Sequence, residues 1–244
     1  MKAETGNLFR KLEAIGELTE EMKAAIDAMP LQVKSLAKGE HVVSDGEISR
    51  HSCLLLEGML HRRKLTPQGN RQILSIHIPG DVPDLHSYHL KKMDHDLVAT
   101  VDCQVALIAH EDIGQAIHAS PALSDLLWRE TLIDAATFRA WMTMIGQTQT
   151  LARVAHILCE LYVRWEMIGD LEGGPFPFPL SQDEVADVIG ASIVLASHSL
   201  QALQQRGLVS LEGGKATVLD WPALRDLAQF EPAYLYYLHE TRRR

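Results

Sequence analysis

The sequence contains few cysteines and no long apolar run, and each absence argues against a class of protein. The three cysteines stand at positions 53, 103 and 159, and no two of them form a C-x-x-C pair. This spacing argues against a zinc ribbon, a disulfide framework and an iron–sulfur cluster. No uninterrupted apolar run approaches the ~20 residues that a membrane helix needs, and no apolar signal region follows the first residues. We therefore expect a cytoplasmic protein with no membrane partner and no iron–sulfur cofactor.

Positive charge is also scarce. The chain carries 23 Lys and Arg against 32 Asp and Glu, a net charge of −9. Residues 148–244 carry eight cations against twelve acids, a net of −4. Phosphate contacts supply most non-specific affinity for nucleic acids, so a DNA-binding unit in this chain should bind with a shallow salt dependence. The terminal run Arg242–Arg244 would add an electrostatic grip, although such tails are more often simply solvated.

Residues 181–219 carry the most informative pattern in the chain, two short helices followed by a hairpin. Ser181 is expected to cap the first helix, and Glu184 completes a capping box. Gly190 permits a sharp turn, after which Ser192 can cap the second helix. Two short apolar runs then flank a Glu-Gly-Gly-Lys turn and predict a hairpin. This order is typical of a winged helix-turn-helix, whose second helix enters the major groove of DNA.

Length and texture divide the chain into three parts. Residues 1–118 contain short apolar runs separated by glycines, which predict an antiparallel β-roll or jelly roll with flanking helices. Residues 119–147 form one long helical segment, and residues 148–244 add an amphipathic helix before the winged helix-turn-helix. The predicted fold class is therefore α+β. The expected strands of the roll lie near residues 41–44, 52–56, 60–65, 71–78, 97–101 and 105–109.

The long helical segment is apolar over more of its circumference than one core-facing stripe requires. A helix with two apolar faces must bury both of them. One solution is to pack on its own roll and on the same helix of a second copy, which predicts a homodimer. The alternative is a helix enclosed between two domains of one chain. The residues expected at the dimer interface are Leu126, Ile133, Thr137, Ala140 and Met144.

Several segments along the chain together resemble one known family. They are Gly39–Gly46, Leu56–Gly58, Ile78–Asp81, Leu180–Ala186 and Leu200–Val209. In this order, over about residues 30–230, they resemble the Crp/Fnr superfamily of bacterial transcription regulators. Two further segments, Trp128–Leu132 and Ala155–Leu161, look like a subgroup known mainly from alphaproteobacterial genomes.

The resemblance implies both a fold and a function. The fold would be an N-terminal roll like that of cyclic nucleotide-binding domains, a dimerisation helix and a C-terminal winged helix-turn-helix. The function would be that of a dimeric, sequence-specific transcription regulator, and not that of an enzyme. Its expected partners are double-stranded DNA with a two-fold operator, a second copy of the chain, and RNA polymerase.

The positions expected to meet DNA carry little charge for this family. Relatives place Arg, Glu, Asn or His at the groove-facing positions, whereas this helix has no arginine before Arg206. The hydroxyl, imidazole and amide groups present can hydrogen-bond to base edges, and the aliphatic side chains can meet a thymine methyl group. We therefore expect a readout that depends on A·T contacts and on DNA shape. The expected DNA-binding residues are Ser181, Ser192, Ile193, Val194, Leu195, Ser197, His198, Gln201 and Lys215.

The sequence argues against cyclic AMP as the effector. Family members that bind it use Gly-Glu-Leu and Arg-Ser-Ala motifs to hold the ribose and phosphate, but no arginine occurs between residues 80 and 101 here. An anionic phosphate would therefore lack a bidentate donor. The residues expected around an effector, whose identity stays unknown, are Val82, Asp84, Leu85, His86, His89, His95 and Thr100.

Three of those residues are histidines, so haem or metal ligation is conceivable. Their spacing, however, fits no recognised metal motif. Surface or hydrogen-bonded histidines on a polar loop are the simpler interpretation, and we assign no metal ligand from the sequence.

Two other functions stay open at this stage. His51, Cys53 and Glu57 bear a faint likeness to a cupin metal motif, which would make the roll a metal-dependent enzyme. The usual second histidine of that motif is Cys53 here, and His51 would need further ligands. The small number of Lys and Arg residues relative to Asp and Glu favours a third interpretation. The protein would then be a regulator that has lost DNA affinity and acts through protein contacts.

Overall fold

The computed structural model describes residues 3–169, 171 and 173–238, so the terminal Arg242–Arg244 run lies outside the described residues. A short 3-10 helix, Ala3–Thr5, precedes two helices that flank the roll. The elements of this N-terminal part are α1 (Gly6–Ile15), α2 (Glu20–Ala28), β1 (Gln32–Leu36), β2 (His41–Val43), β3 (His51–Glu57), β4 (Leu60–Leu65), β5 (Arg71–His77), α3 (Ser87–Leu90), β6 (Asp96–Ala99) and β7 (Cys103–Ala109).

The seven strands form two antiparallel sheets that face each other as a roll. One sheet has the strand order β1-β7-β3 and the other has the order β2-β6-β4-β5. Buried side chains such as Val43, Cys53, Leu60 and Leu97 fill the space between the sheets. The antiparallel roll predicted from the glycine-separated runs is therefore confirmed.

Strand β1 was not expected from the sequence. It pairs with β7 along its whole length, from Gln32 opposite Leu107 to Leu36 opposite Cys103. Four of its five residues are exposed, so the strand shows no alternation of apolar and polar side chains. An edge strand of this kind is held by backbone hydrogen bonds, which leave no mark in the amino-acid pattern.

The C-terminal half is mainly helical. No single helix among the described residues has the length and apolar composition of a membrane span, and the helices Gln182–Ile189 and Ile193–Gln205 meet that test only when joined across a bend of 101°. The elements are α4 (His110–Ala119), α5 (Pro121–Gln147), α6 (Thr150–Ile168), β8 (Phe176–Pro177), α7 (Gln182–Ile189), α8 (Ile193–Gln205), β9 (Val209–Glu212), β10 (Lys215–Val218), α9 (Trp221–Ala228) and a 3-10 helix, Pro232–Leu235.

The helix-turn-helix forms as its local residues predict. The backbone N–H of Ser181 donates to Glu184 Oε2 at 2.8 Å, and Ser181 Oγ accepts from Glu184 N at 3.2 Å, which completes the capping box. Gly190 then adopts φ +61°, a left-handed conformation that costs glycine little. The β9–β10 hairpin closes on Gly213 and Gly214, both at positive φ, as a two-residue turn of this kind requires.

One apolar core extends from the roll into the winged helix. Ile73 and Ile76 of the roll belong to the same buried cluster as Leu158 of α6, Val188 of α7 and Leu203 of α8. The helix-turn-helix therefore packs against the roll of its own chain, where α7 contacts β5 directly, and α6 belongs to the same core. This packing decides which surfaces of α7 and α8 face solvent.

Candidate nucleic-acid interface and sensor region

Helix α8 presents an exposed aliphatic surface at its first turn. Ser192 caps the helix, its Oγ accepting a hydrogen bond from Leu195 N at 3.3 Å. Ile193, Val194 and Leu195 expose 49%, 61% and 49% of their surfaces. Ala196, the next residue, is buried against the rest of the domain. Three neighbouring aliphatic side chains are thus available for contact at the end of α8 that follows the turn.

The hydrogen-bonding residues of α8 follow one turn later. His198 and Gln201 are exposed, whereas Ser197 is half-buried. Lys215 is exposed at the start of β10, beside the hairpin turn. Ser181 is also exposed, but its hydroxyl and its N–H are both engaged in the cap of α7.

Exposed cations are few around α8, and the helix itself contains no charged residue. Within residues 181–215, the two cations Arg206 and Lys215 are both exposed. Arg153 of α6 lies nearby, but it donates to the carbonyl oxygens of Thr148 and Ile189 and so serves the protein's own backbone. A phosphate approaching α8 therefore meets little positive charge from this part of the described chain.

The β4–β5 hairpin of the roll lies against the helix-turn-helix. Arg71 of β5 forms an ion pair with Asp187 of α7, and the Gln72 side-chain amide donates to the carbonyl oxygen of Asp187. A cleft separates the rest of the hairpin from the first turn of α8. The residues lining it are Arg63, Leu65, Gly69, Arg71, Asp183, Asp187 and Ile193.

Arg62 occupies the interior of the roll, and sequence reasoning missed it. Its Nη1 lies 2.7 Å from Asp134 Oδ2 of α5, its guanidinium carbon lies 5.1 Å from the centre of the Phe138 ring, and it donates to the carbonyl oxygen of Pro83. The side chain is only 2% exposed. No arginine occurs between residues 80 and 101, but Arg62 reaches the same region from a strand that is distant in sequence.

The seven residues expected around an effector do not share one pocket. Leu85, His86 and His89 line an apolar groove of about 530 Å³ between α3, α4 and α5. The other four lie elsewhere: Val82 lines a different cavity, Asp84 lines a third, His95 is almost fully buried, and Thr100 is fully buried with its Oγ1 2.8 Å from His61 Nδ1. Contiguity in sequence was a poor guide because the segment turns around α3.

Asp84 is one of the residues that the structure places inside the protein. Its carboxylate accepts a hydrogen bond from the backbone N–H of Cys53 at 2.6 Å. Burial raises the pKa of Asp84 to about 7. The carboxyl group therefore supports the backbone of β3.

The cupin-like constellation is not assembled in the structure. His51 and Glu57 are exposed, whereas Cys53 is fully buried in the roll. Burial raises the pKa of the Cys53 thiol well above its usual value, which disfavours the thiolate that a metal requires. The metal-dependent enzyme suggested by these three residues is therefore not supported by their geometry.

Helix α5 turns the face expected at the dimer interface toward its own chain. Leu126 and Met144 are 5% and 3% exposed, each in an apolar core of the same chain. Ile133 and Thr137 line a small cavity formed with residues of the same subunit, and Ala140 is half-buried. The sequence established that the helix has two apolar faces, but it did not establish which of them is used within the subunit.

The other apolar face of α5 points outward. Trp128, Leu132 and Met142 expose 58%, 50% and 74% of their surfaces. Trp128, Ala135 and Met142 are spaced by seven residues, as a helix–helix seam requires. This outward face is a second candidate for contact with another copy, beside the face predicted from the sequence, which stays a prediction.

A group of buried charges joins the roll to helices α1, α5 and α6. Asp81 lies 2.7 Å from Lys11 of α1 and 2.6 Å from Arg164 of α6, and Lys11 also pairs with Glu130 of α5. Burial alone would raise the pKa of Asp81, but Lys11 and Arg164 hold it well below its usual range. Asp81 belongs to the segment that resembles the family's effector region, yet its carboxylate is engaged within the protein.

The fold and these surfaces define a class of protein: a regulator with an N-terminal antiparallel roll and a C-terminal winged helix-turn-helix. Residues 33–120 match the family model of the cyclic nucleotide-binding domain, and residues 152–227 match that of the Crp-like helix-turn-helix domain. The chain belongs to the Crp/Fnr family of transcription regulators, which bind DNA and act as dimers.

Curated relatives and solved structures extend the match over most of the chain. The nitrogen fixation regulation protein FixK of Bradyrhizobium diazoefficiens is 26% identical over 195 residues, covering 79% of this chain and 80% of the relative. The transcriptional activator protein FnrL of Cereibacter sphaeroides is 22% identical over 189 residues, covering 76% and 75%. The structure of FixK2 from Bradyrhizobium japonicum has the same fold, with a TM-score of 0.72 and 22% identity over 82% of this chain and 98% of that one.

Proposed function

We propose that the protein works as a homodimer whose paired α8 helices read a two-fold DNA site. The outer face of α8 carries this proposal. It combines exposed aliphatic residues with His198 and Gln201, and the helix contains no charged residue that would repel phosphate or bind it indiscriminately. Backbone N–H groups at helix starts and in the hairpin can hold the DNA backbone without side-chain charge.

The dimer that we propose forms through the outward face of α5. Thr131 and Phe138 interleave with the heptad positions Trp128, Ala135 and Met142, which gives the alternating spacing of three and four residues found in two-stranded coiled coils. A parallel pair of α5 helices would place both helix-turn-helix units on the same side of the dimer. Their recognition helices could then enter successive major grooves of one duplex.

Sequence readout in this proposal depends on thymine methyl groups, A·T edges and DNA shape. Within residues 181–215 each subunit exposes two cations, Arg206 and Lys215, so this segment gives four near the recognition helices of a dimer. Each phosphate contact contributes about 0.9 to the slope of log affinity against log salt concentration, so we expect a slope of roughly −4 or shallower. The preference for one DNA sequence over others would then be stronger than the weak attraction to phosphate alone would suggest.

The sensor is proposed to respond to something other than cyclic AMP. Arg62, an arginine close to the effector region, is already paired with Asp134 and with the Pro83 carbonyl group. A cyclic nucleotide would have to displace both partners to gain a bidentate phosphate contact.

We also propose that the protein acts in the cytoplasm, where its DNA target lies, and that it contacts RNA polymerase when bound there.

Selection from random duplex DNA tests this function. The expected result is a palindromic consensus whose half-sites are centred about one helical turn, roughly 10 base pairs, apart. Gln201→Ala should weaken binding to that consensus by about 1–3 kcal/mol and relax specificity at one position of each half-site. Gln205→Ala, an exposed glutamine at the far end of the same helix, is the matched control and should bind like the wild type.

A second candidate function follows from the exposed cluster Ile193, Val194 and Leu195. Such a cluster also suits a protein partner, and a regulator that works mainly through protein contacts would use it in that way. In that case random duplex would yield no consensus from protein that is dimeric and folded. A palindromic consensus that is lost in Leu195→Asp decides in favour of DNA.

A further inference from the structure

The turn around α3 brings together three side chains that can bind a metal ion. His86 immediately precedes α3, and Asp94 and His95 immediately precede β6. Lys91 adopts φ +62° between them and reverses the chain. Each of the three side chains then places one potential ligand atom within 4.8 Å of those of the other two. The centres of the two imidazole rings lie 5.4 Å apart.

His95 has a ring nitrogen that the surrounding protein leaves unused. The residue is only 5% exposed, contrary to the expectation of a solvated polar loop. Its Nδ1 lies 2.7 Å from Asp94 Oδ1, whereas its Nε2 is buried and has no hydrogen-bond partner. A buried polar atom without a partner typically costs about 1–3 kcal/mol, and a bound metal ion at Nε2 would offset that cost.

The surroundings of the two imidazoles disfavour their protonated forms, and a metal binds the neutral ring. Burial lowers the pKa of His86 to about 4, and burial also lowers the pKa of His95. Arg62 is the nearby cation that would oppose a bound metal ion, but its charge is offset by Asp134, 2.7 Å away. The site therefore adds the negative charge of Asp94 to two neutral nitrogen donors.

We propose that His86, Asp94 and His95 form a binding site for one divalent transition-metal ion of the zinc class. Two imidazoles and one carboxylate are a donor set that suits such ions, and three protein ligands leave a fourth position for water or for a small molecule. Metal–nitrogen bonds of about 2.0–2.1 Å require the donors to move closer together. Asp94, whose side chain is 83% exposed, is free to make that movement.

The position of His86 connects this site to helix α5. The imidazole also lines the apolar groove whose other wall includes Trp128 and Thr131 of α5. Coordination would pull His86 toward Asp94 and His95, and so change the wall of the groove beside the outward face of α5. Metal binding would thereby change the surroundings of the α5 face that we propose for dimer contact.

A titration of the full chain with Co²⁺ and Zn²⁺ tests the site. Protein stripped with a chelator should take up one Co²⁺ per chain with intense ligand-field absorption, and Zn²⁺ should displace it. Equilibrium dialysis with metal analysis gives the stoichiometry. His86→Ala and His95→Ala should each weaken binding at least about 100-fold, and Asp94→Asn about 10-fold. His89→Ala, an exposed histidine of the same segment, is the matched control and should bind like the wild type.

Two outcomes would overturn the proposal. One is uptake by the wild type that does not exceed uptake by the His86→Ala/His95→Ala double variant. The other is an equal loss in His89→Ala, which would indicate a different surface site. Because His95 is buried, circular dichroism must show that its variant is folded. If it is not, His86→Ala and Asp94→Asn alone decide the outcome, because neither side chain is fully buried.

Discussion

The junction between the roll and α6 differs from the outer face of α8 in where the protein keeps its charge. At the junction, Asp81, Lys11, Glu130 and Arg164 form ion pairs that are largely withdrawn from solvent. On α8, no residue is charged, and three aliphatic side chains are exposed at the first turn. Soluble domains ordinarily place their residues the other way round.

The buried charges at the junction and the exposed aliphatic side chains on α8 have different consequences for stability and binding. A buried group of opposite charges adds little stability over an apolar substitute, but leaving one member unpaired is costly, so it fixes how the elements fit together. Exposed aliphatic side chains contribute hydrophobic free energy only when another surface covers them and removes them from water. We therefore expect substitutions at the junction to change folding stability, and substitutions on α8 to change binding while the fold persists.

The largest effect should come from Asp81→Ala. The substitution leaves Lys11 and Arg164 without their shared carboxylate, and it also removes the acceptor for Ile78 N at 3.0 Å. We expect the free energy of unfolding to fall by about 3–5 kcal/mol, measured by urea denaturation. Glu231→Ala, which breaks the exposed pair with Arg225, is the control and should change stability little. An equally small loss of unfolding free energy in both variants would contradict the expectation that the charges at the junction control folding stability.

Met142→Glu should weaken the dimer without weakening the fold. Met142 is 74% exposed in the subunit, and in a two-fold seam the substitution would bring two carboxylates together out of water. We expect the dimer dissociation constant to rise at least about 100-fold, or roughly 2.7 kcal/mol, measured by analytical ultracentrifugation. Thr143→Glu places the same charge on the next exposed residue, away from the heptad positions, and should stay dimeric. If both variants remain dimeric, α5 does not use this face.

The buried histidine His61 should make the folding stability depend on pH. Burial lowers the pKa of His61 to about 4, so its ring stays neutral in the folded protein while the unfolded chain takes up a proton below about pH 6.5. Stability is therefore lost as pH falls from 6.5 toward 4. The wild type should lose about 1.6 kcal/mol of unfolding free energy through this group between pH 6.5 and pH 5, and His61→Asn should not, since other titrating groups cancel in the difference between the two proteins. A difference that stays constant over this range would mean that His61 titrates alike in both states.

The helix-turn-helix could be predicted because its determinants are local. The capping box joins residues three positions apart, and the turn after α7 needs only one glycine, Gly190, at positive φ. A reader of the sequence can recognise such short-range patterns without knowing the tertiary fold. The two-residue Gly-Gly turn of the hairpin was predictable for the same reason.

The sensor region could not be predicted because its contacts connect distant parts of the chain. Arg62 meets Asp134, 72 positions away, and Lys11 meets Asp81, 70 positions away. No periodicity records such pairs. Periodicity also does not choose between the two apolar faces of α5: it shows that a face is apolar, but it does not show whether the roll or a second copy covers it.

The smallest effect should come from Lys215→Ala, and it tests whether the uncharged α8 depends on the few cations around it. Lys215 is exposed beside the hairpin turn, where a wing meets the DNA backbone. Losing one phosphate contact per subunit should reduce the steepness of the salt dependence by about 0.9 per subunit, and should weaken binding to specific and random duplexes alike. Lys38→Ala, an exposed lysine of the roll, should leave the slope unchanged. If Lys215→Ala instead weakens only the specific site, the wing reads bases, and the division between an electrostatic wing and a shape-reading α8 is wrong.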